Sequence, residues 1–359
     1  MRLRRTTVGL IAGMVALVVP SAAQATTKVV DMGVPPASQK AFQPTGSDVN
    51  DFFPHGITVK VGDSIKFVPV GFHTVDLVPK GGLPLALFSP AGKISNENDA
   101  AGQPFWFNGQ DQFGFNTGLL MAQNFGKKVS YSGSKRVDTG LPLANKPKPM
   151  TVKFKKTGSF TYYCDIHPGM TGKVTVKGKK AKVPSRKADA KVVKAQVAAG
   201  LKVAQGLAKK TPPANTIDVG EAGPRGVEYY GFIPGTVTVP VGTTLNFRMT
   251  KGSYEAHTAT TGPGDPENDP NSYLGTVAGT FQGPGPFLGA ATYPSEAPGG
   301  ATASLTPTLH GNGFWSTGVL DTSNASPLPA SGSVTFGAAG DYQFYCLIHP
   351  FMHGTVKVQ

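Results

Sequence analysis

The strongest limit on what this chain can fold into is a motif that it carries twice. Tyr163-Cys164-Asp-Ile-His167-Pro-Gly-Met170 returns as Tyr345-Cys346-Leu-Ile-His349-Pro-Phe-Met352, with Cys, His and Met each displaced by 182 positions. An isolated upstream His73 has a counterpart in His257, displaced by 184. Between these landmarks, Ile57-Thr-Val59-Lys-Val61-Gly62-Asp63-Ser-Ile65-Lys-Phe67 aligns with Val237-Thr-Val239-Pro-Val241-Gly242-Thr243-Thr-Leu245-Asn-Phe247. Both alternate apolar and polar residues around a glycine turn, as two strands with one buried face each do. The cysteine motifs sit between two further alternating runs, with Gly172 and Gly354 expected to free the backbone at the start of each last strand. Two copies of one domain follow.

Glycine and proline number 46 and 31 of the 359 residues, too many for a helical bundle and suited to a turn-rich β fold. The expected class is all-β: two Greek-key β-sandwich domains joined by a basic, partly helical linker. The expected boundaries are a leader over 1–25, domains over 26–176 and 214–359, and the linker over 177–213.

The formal net charge of +13 invites a nucleic-acid partner, but its distribution argues against one. The leader carries +3, the first domain +6, the linker +10 and the second domain −6. The leader has three arginines, a short apolar run from Val8 to Val19 and an Ala23-Gln24-Ala25 cleavage pattern. This reads as a signal peptide, with a retained anchor as the alternative. An exported protein, periplasmic or extracellular, is expected, with no transmembrane segment in its mature form. In the linker, Val193, Val197, Leu201, Ala204 and Ala208 recur at helical spacing, while Gly200 and Gly206 weaken the helix. A solvated spacer is the favoured reading; contact with an anionic cell-envelope surface is the sharper alternative.

A histidine followed much later by Cys-x-x-His-x-x-Met supplies the donors of a mononuclear blue-copper site, with two imidazoles, one thiolate and a weak axial thioether. Such a site tolerates both Cu(I) and Cu(II) when a rigid fold holds it. On these residues the chain resembles two tandem cupredoxin domains of the plastocyanin/amicyanin type, the two-residue gap between loop His and Met being amicyanin-like. The resemblance implies two type 1 copper sites, His73, Cys164, His167, Met170 and His257, Cys346, His349, Met352. It also implies electron exit at the loop histidine through an apolar patch, here Pro168, Pro350 and Phe351. Thr74 and Thr258 stand where many members carry asparagine after the first histidine.

Two cysteines in an exported chain would ordinarily suggest a disulfide. Their matched placement, each with its own His and Met, argues against pairing. His55, His310 and His353 lack repeat counterparts and read as ordinary loop histidines, and Met121 and Met150 as packing residues. The stretches between first His and Cys, 90 and 88 residues long, read as shared insertions beside the sandwich, with Phe105–Gly118 matched to Gly313–Gly318. The His-x-His pairs of multicopper oxidases are missing from the sequence. Tyr163 and Tyr345 stand where nitrite reductases place a copper-binding His before the first-domain Cys, so no enzymatic activity is expected. The reading is an electron carrier serving redox-protein donors and acceptors. The alternatives are copper storage or delivery, or a structural module that retains no metal.

Overall fold

In the computed structural model, residues 25–323 and 328–359 are described, so most of the expected leader lies outside them. The first repeat is a sandwich of two five-stranded sheets. One sheet runs Phe52–Phe53, Thr27–Met32, Ser64–Pro69, Met150–Phe154, Lys128–Tyr131; the other runs Val137–Asp138, Asp76–Leu77, Gly158–Tyr163, Thr171–Lys177, Gly56–Lys60. Val30, Phe67 and Val152 from the first sheet meet Val59, Tyr162 and Val174 from the second in one buried cluster that also holds Cys164 and Met170. The second repeat repeats this plan, with Ile217, Phe247 and Val334 packed on Phe344, Val356, Cys346 and Met352.

The paired runs around Gly62 and Gly242 do not form hairpins. Gly56–Lys60 and Ser64–Pro69 lie in opposite sheets, as do Thr236–Val239 and Thr244–Arg248, so each glycine turn arches across the core. Gly62 N–H donates to Phe154 O and Val61 N–H to Lys177 O, tying the arch to both sheets. The last two strands are true antiparallel neighbours, in register from Gly158↔Val176 to Tyr163↔Thr171. Gly172 serves a different purpose from the one expected: a Cβ there would lie 2.3 Å from the Tyr162 ring, so its bare backbone makes room for a buried aromatic.

The repeats are interlocked. Ser47–Val49 of the first repeat is an edge strand of the second repeat's larger sheet, antiparallel to Val227–Tyr229. The insertions do not simply lie beside their own sandwiches. Ile94, Phe105 and Phe107 from the first pack with Leu274, Val277, Phe287 and Phe314 from the second in a third core. Glu97 accepts the Gly289 and Ala290 N–H groups, and Trp106 Nε1 donates to Pro294 O. Trp315-Ser316-Thr317-Gly318 is structurally equivalent to Val137-Asp138-Thr139-Gly140, because both segments pair with the strand after the first histidine. The expected match to Asn116-Thr-Gly118 is therefore displaced: those residues open a short helix, with Asn116 as its cap.

The linker contains a 22-residue helix, Arg186–Leu207, capped by Ser185, which packs along one stripe and is otherwise exposed, so it is more than a solvated spacer. Its Ala204 and Leu207 enter a fourth core with Phe42, Val49 and Phe53 of the first repeat and Val227 of the second. Gln196 donates to Asp51 and to Phe52 O, and Asp189 pairs with buried Lys28 at 2.8 Å. Tertiary packing of one apolar stripe overrides the two helix glycines. No helix among the described residues is long and apolar enough to cross a membrane.

His310 is no ordinary loop histidine. It joins Asp99 of the first repeat to Glu296 of the second, at 3.1 and 2.8 Å. The Glu296 hydrogen bond, opposed by burial and aided by Asp99, raises its pKa. Its stabilising contribution is complete below about 6.5, the free imidazole value, and is lost as pH rises through the elevated value. The gap in unfolding temperature between wild type and H310Q, read by calorimetry, should be wider at pH 6 than at pH 9.

Candidate metal centres

Each cysteine motif forms a tight loop between two antiparallel strands. Cys164 N–H donates to Met170 O and Met170 N–H to His167 O; Cys346, Met352 and His349 repeat both bonds. The loop is thus closed on itself before any ion is bound. The first histidine of each repeat stands just ahead of a short strand that pairs alongside the cysteine strand, and Thr74 and Thr258 join the two. Thr74 N–H points at Cys164 Sγ (3.4 Å) while its Oγ1 accepts Asp165 N–H (2.8 Å). Thr258 makes the same two contacts with Cys346 Sγ and Leu347 N–H, again 3.4 and 2.8 Å. The threonines therefore bridge histidine and cysteine strands in both copies.

The donor atoms converge. In the first repeat Cys164 Sγ lies 4.0 Å from His73 Nδ1 and 3.5 Å from His167 Nδ1, and the two nitrogens are 2.9 Å apart. In the second, Cys346 Sγ lies 3.7 Å from both His257 and His349 Nδ1, which are 3.2 Å apart. An ion about 2.0–2.3 Å from each nitrogen or sulfur fits between donors spaced this way. Met170 and Met352 are buried in the same cores as the cysteines. Both thiols are free and buried, with no disulfide between them. Soft thiolate with two imidazoles is a donor set that favours copper or zinc over hard cations.

Glycine shapes the far side of each cluster. Gly220, at φ +78°, abuts the His257 ring so closely that a Cβ would lie 2.6 Å from Nε2. Gly33 holds the equivalent place, where a Cβ would lie 2.7 Å from Val70 O and 3.1 Å from His73 Nε2. The space behind each imidazole exists because the residue there has no side chain.

Sequence reasoning missed the residue that joins the clusters. Glu255 is buried, and its Oε1 accepts from Tyr230 OH (2.6 Å), Asn50 Nδ2 (2.9 Å) and His167 Nε2 (2.9 Å). Its Oε2 lies 3.8 Å from His349 Nε2. One carboxylate of the second repeat thus stands between the loop histidines of both. Burial would raise the Glu255 pKa, but His167 first, then His349 and His257, hold it well below the carboxylate range. Burial likewise opposes ionisation of Cys164 and His167. His167 outweighs it at the thiol, which falls well below its usual value, and Glu255 outweighs it at His167, which rises well above. At His257 burial prevails over the pull of Glu255 and pushes the pKa down to about 4. A signal for Glu255 was present: the aligned position two residues before the first histidine is Gly71 in the other repeat.

The expected exit patch is divided by this arrangement. Phe351 is 55% exposed and packs near His349 and Tyr230, with ring centroids 5.9 and 6.1 Å away. Pro168 is exposed and Pro350 half-buried. The His167 edge is covered by Glu255, whereas the resemblance implied an open one. Both loop histidines line a single cleft of about 610 Å³ between the repeats, with Glu255, Tyr230 and Phe351. Of the two methionines set aside as packing residues, Met150 is buried and Met121 is 78% exposed.

No family model matches the chain, and no curated protein matches it. Among solved structures it is similar to oxidised plastocyanin from Dryopteris crassirhizoma, at 20% identity over 40% of this chain and 99% of that one, TM-score 0.20. It is similar to a purple cupredoxin from Nitrosopumilus maritimus, at 15% identity over 40% and 98%, TM-score 0.21. A reduced Cu(I) amicyanin variant matches at 17% identity over 42% and 88%, TM-score 0.20.

If the bare backbone at Gly220 admits the His257 ring, G220A should lower copper uptake by one ion per chain relative to wild type while far-UV circular dichroism stays native. G33A should do the same at the first cluster, and the remaining ion is located by which cysteine still resists alkylation.

Proposed function

We propose that this is an exported copper-binding electron-transfer protein with one type 1 site in each repeat. The observation that carries the reading is the convergence of two complete His, Cys, His clusters with buried methionines, on loops already closed by their own backbone hydrogen bonds. Bound copper would supply one-electron exchange between Cu(I) and Cu(II). The ligands would be His73, Cys164, His167 and Met170, and His257, Cys346, His349 and Met352. The chain's own part is to hold these donors still and dry, so that little moves when charge changes. Thr74 and Thr258 fix the sulfurs with backbone N–H groups, and the sandwich cores exclude water.

Glu255 adds a connection. The imidazoles of His167 and His349 meet at its two oxygens, a short polar link between the ligand sets through the protein interior. The first centre faces inward, and the patch around Phe351 lies on the second repeat. A redox-protein partner docking there would serve both centres, with no catalytic conversion of a substrate. Storage or delivery of copper is the second reading, favoured by the deep burial of both thiols.

Reconstituted protein should hold two coppers per chain and show intense visible absorption that bleaches reversibly on reduction. C164S and C346S should each remove about half of it. Two tightly held Cu(I) ions that never oxidise would favour storage and overturn the carrier. Flash reduction should show electron exchange between centres, slowed roughly tenfold or more in E255Q as its charge-assisted hydrogen bonds are lost. An unchanged rate would remove Glu255 from the path.

A further inference from the structure

The first repeat contains a second cluster of ionisable groups that the copper reading does not use. Asp76 and Asp138 face each other in register on neighbouring strands, and Asp165 follows Cys164. One oxygen from each can be chosen so that all three lie within 4.8 Å of one another. The three residues are 0%, 4% and 4% exposed. Like charges directly opposite on paired strands repel, so grouping three carboxyls costs the fold stability unless their charge is compensated.

The second repeat shows that the fold does not require them. At the same places it carries Thr260, Ser316 and Leu347, with Thr260 Oγ1 and Ser316 Oγ sharing a 2.8 Å hydrogen bond. The surrounding bonds are otherwise matched: Val75 and Ala259 N–H donate to Thr139 and Thr317, and Gly140 and Gly318 N–H to Asp138 and Ser316. Three carboxylates have thus been placed in a frame that elsewhere holds neutral groups.

Their hydrogen bonds leave a gap. Asp165 accepts Leu85 N–H at 2.8 Å and Thr74 Oγ1–H at 3.0 Å. Asp76 Oδ2 pairs with Arg136, whose other nitrogen holds Leu83 O. Asp138 Oδ1 accepts Gly140 N–H. Asp76 Oδ1 and Asp138 Oδ2 are buried and have no partner among the described residues. Three carboxylates against one guanidinium leave two negative charges unmatched, which a buried site does not sustain without a counter-ion or protons.

We propose that Asp76, Asp138 and Asp165 bind one hard divalent cation of the calcium, manganese or magnesium kind, beside the first cysteine cluster and with no counterpart in the second. All-oxygen donors select hard ions, and calcium sits about 2.3–2.6 Å from each oxygen, a reach that spans oxygens up to about 5 Å apart. The ion would occupy the space onto which the two partnerless oxygens open and supply the two missing positive charges. The segment from Leu83 to Leu85, pinned by Arg136 and Asp165, covers it. Thr74 connects it to the first metal centre, since the same residue contacts Cys164 Sγ and Asp165.

The test is Mn²⁺ titration of the full chain, with free Mn²⁺ read by electron paramagnetic resonance, in metal-free and Cu(I)-loaded protein alike. One Mn²⁺ per chain, displaced by Ca²⁺, is expected in both forms, so the result does not depend on copper binding. Asp76→Thr with Asp138→Ser copies the second repeat, so it should fold; it should weaken Mn²⁺ binding at least tenfold and abolish the rise in unfolding temperature that Ca²⁺ gives the wild type. Wild type that binds Mn²⁺ no better than this variant would overturn the proposal, leaving protons as the compensation. Stoichiometric binding that survives in the variant would overturn it equally, by placing the ion elsewhere.

Discussion

A buried carboxylate that two domains must jointly satisfy sets the arrangement of this molecule. His167, against its side chain, does most to hold Glu255 as a carboxylate in the interior, and Tyr230 and Asn50 donate to the same oxygen. Two of those three partners, Asn50 and His167, come from the first repeat, whereas Glu255 belongs to the second. Pull the repeats apart and the charge loses the contacts that make its burial tolerable. Glu255 thus joins the two donor clusters, alongside the shared sheet, the insertion core and the packed linker helix.

Duplication has left two frames that agree in the backbone bonds around the donor clusters yet differ in charge. Threonine after the first histidine, the loop closure and the glycine behind the imidazole occur in both. Acids are distributed unequally: Glu255 against Gly71, Asp76 against Thr260, Asp165 against Leu347. The first cluster is consequently flanked by carboxyl groups on two sides, and the second has hydroxyl or apolar residues where the three aspartates stand. Metal held by these matched donor sets would sit in unlike fields and would not be bound to share one potential.

Much of this was legible in the sequence, for a physical reason. Metal donors need fixed residue types, so His73, Cys164, His167 and Met170 stand out once their spacing recurs. The alternating strands were equally visible, since a sandwich buries every second residue. The sheet to which each strand belongs was not visible: Gly62 turns the chain across the core, and local pattern cannot distinguish an arch from a hairpin. Nor could composition reveal that Phe107 and Phe287 share a core, or that the lysine-rich helix has an apolar stripe with somewhere to pack, because both depend on contacts between distant segments. Glu255 and the aspartates were detectable only as differences between the repeats, which a search for agreement passes over.

The donated strand has a bearing on how the chain acquires this form. Ser47–Val49 completes a sheet whose other strands begin some 170 residues later in the chain. The second repeat's larger sheet must therefore wait for, or recruit, a segment synthesised long before it. Closing so long a loop is costly before its contacts are made, which makes docking of the halves a late, slow and cooperative step. The dependence runs one way in the sheets: the first repeat builds both of its own, and the second completes its larger one with a strand that the first supplies.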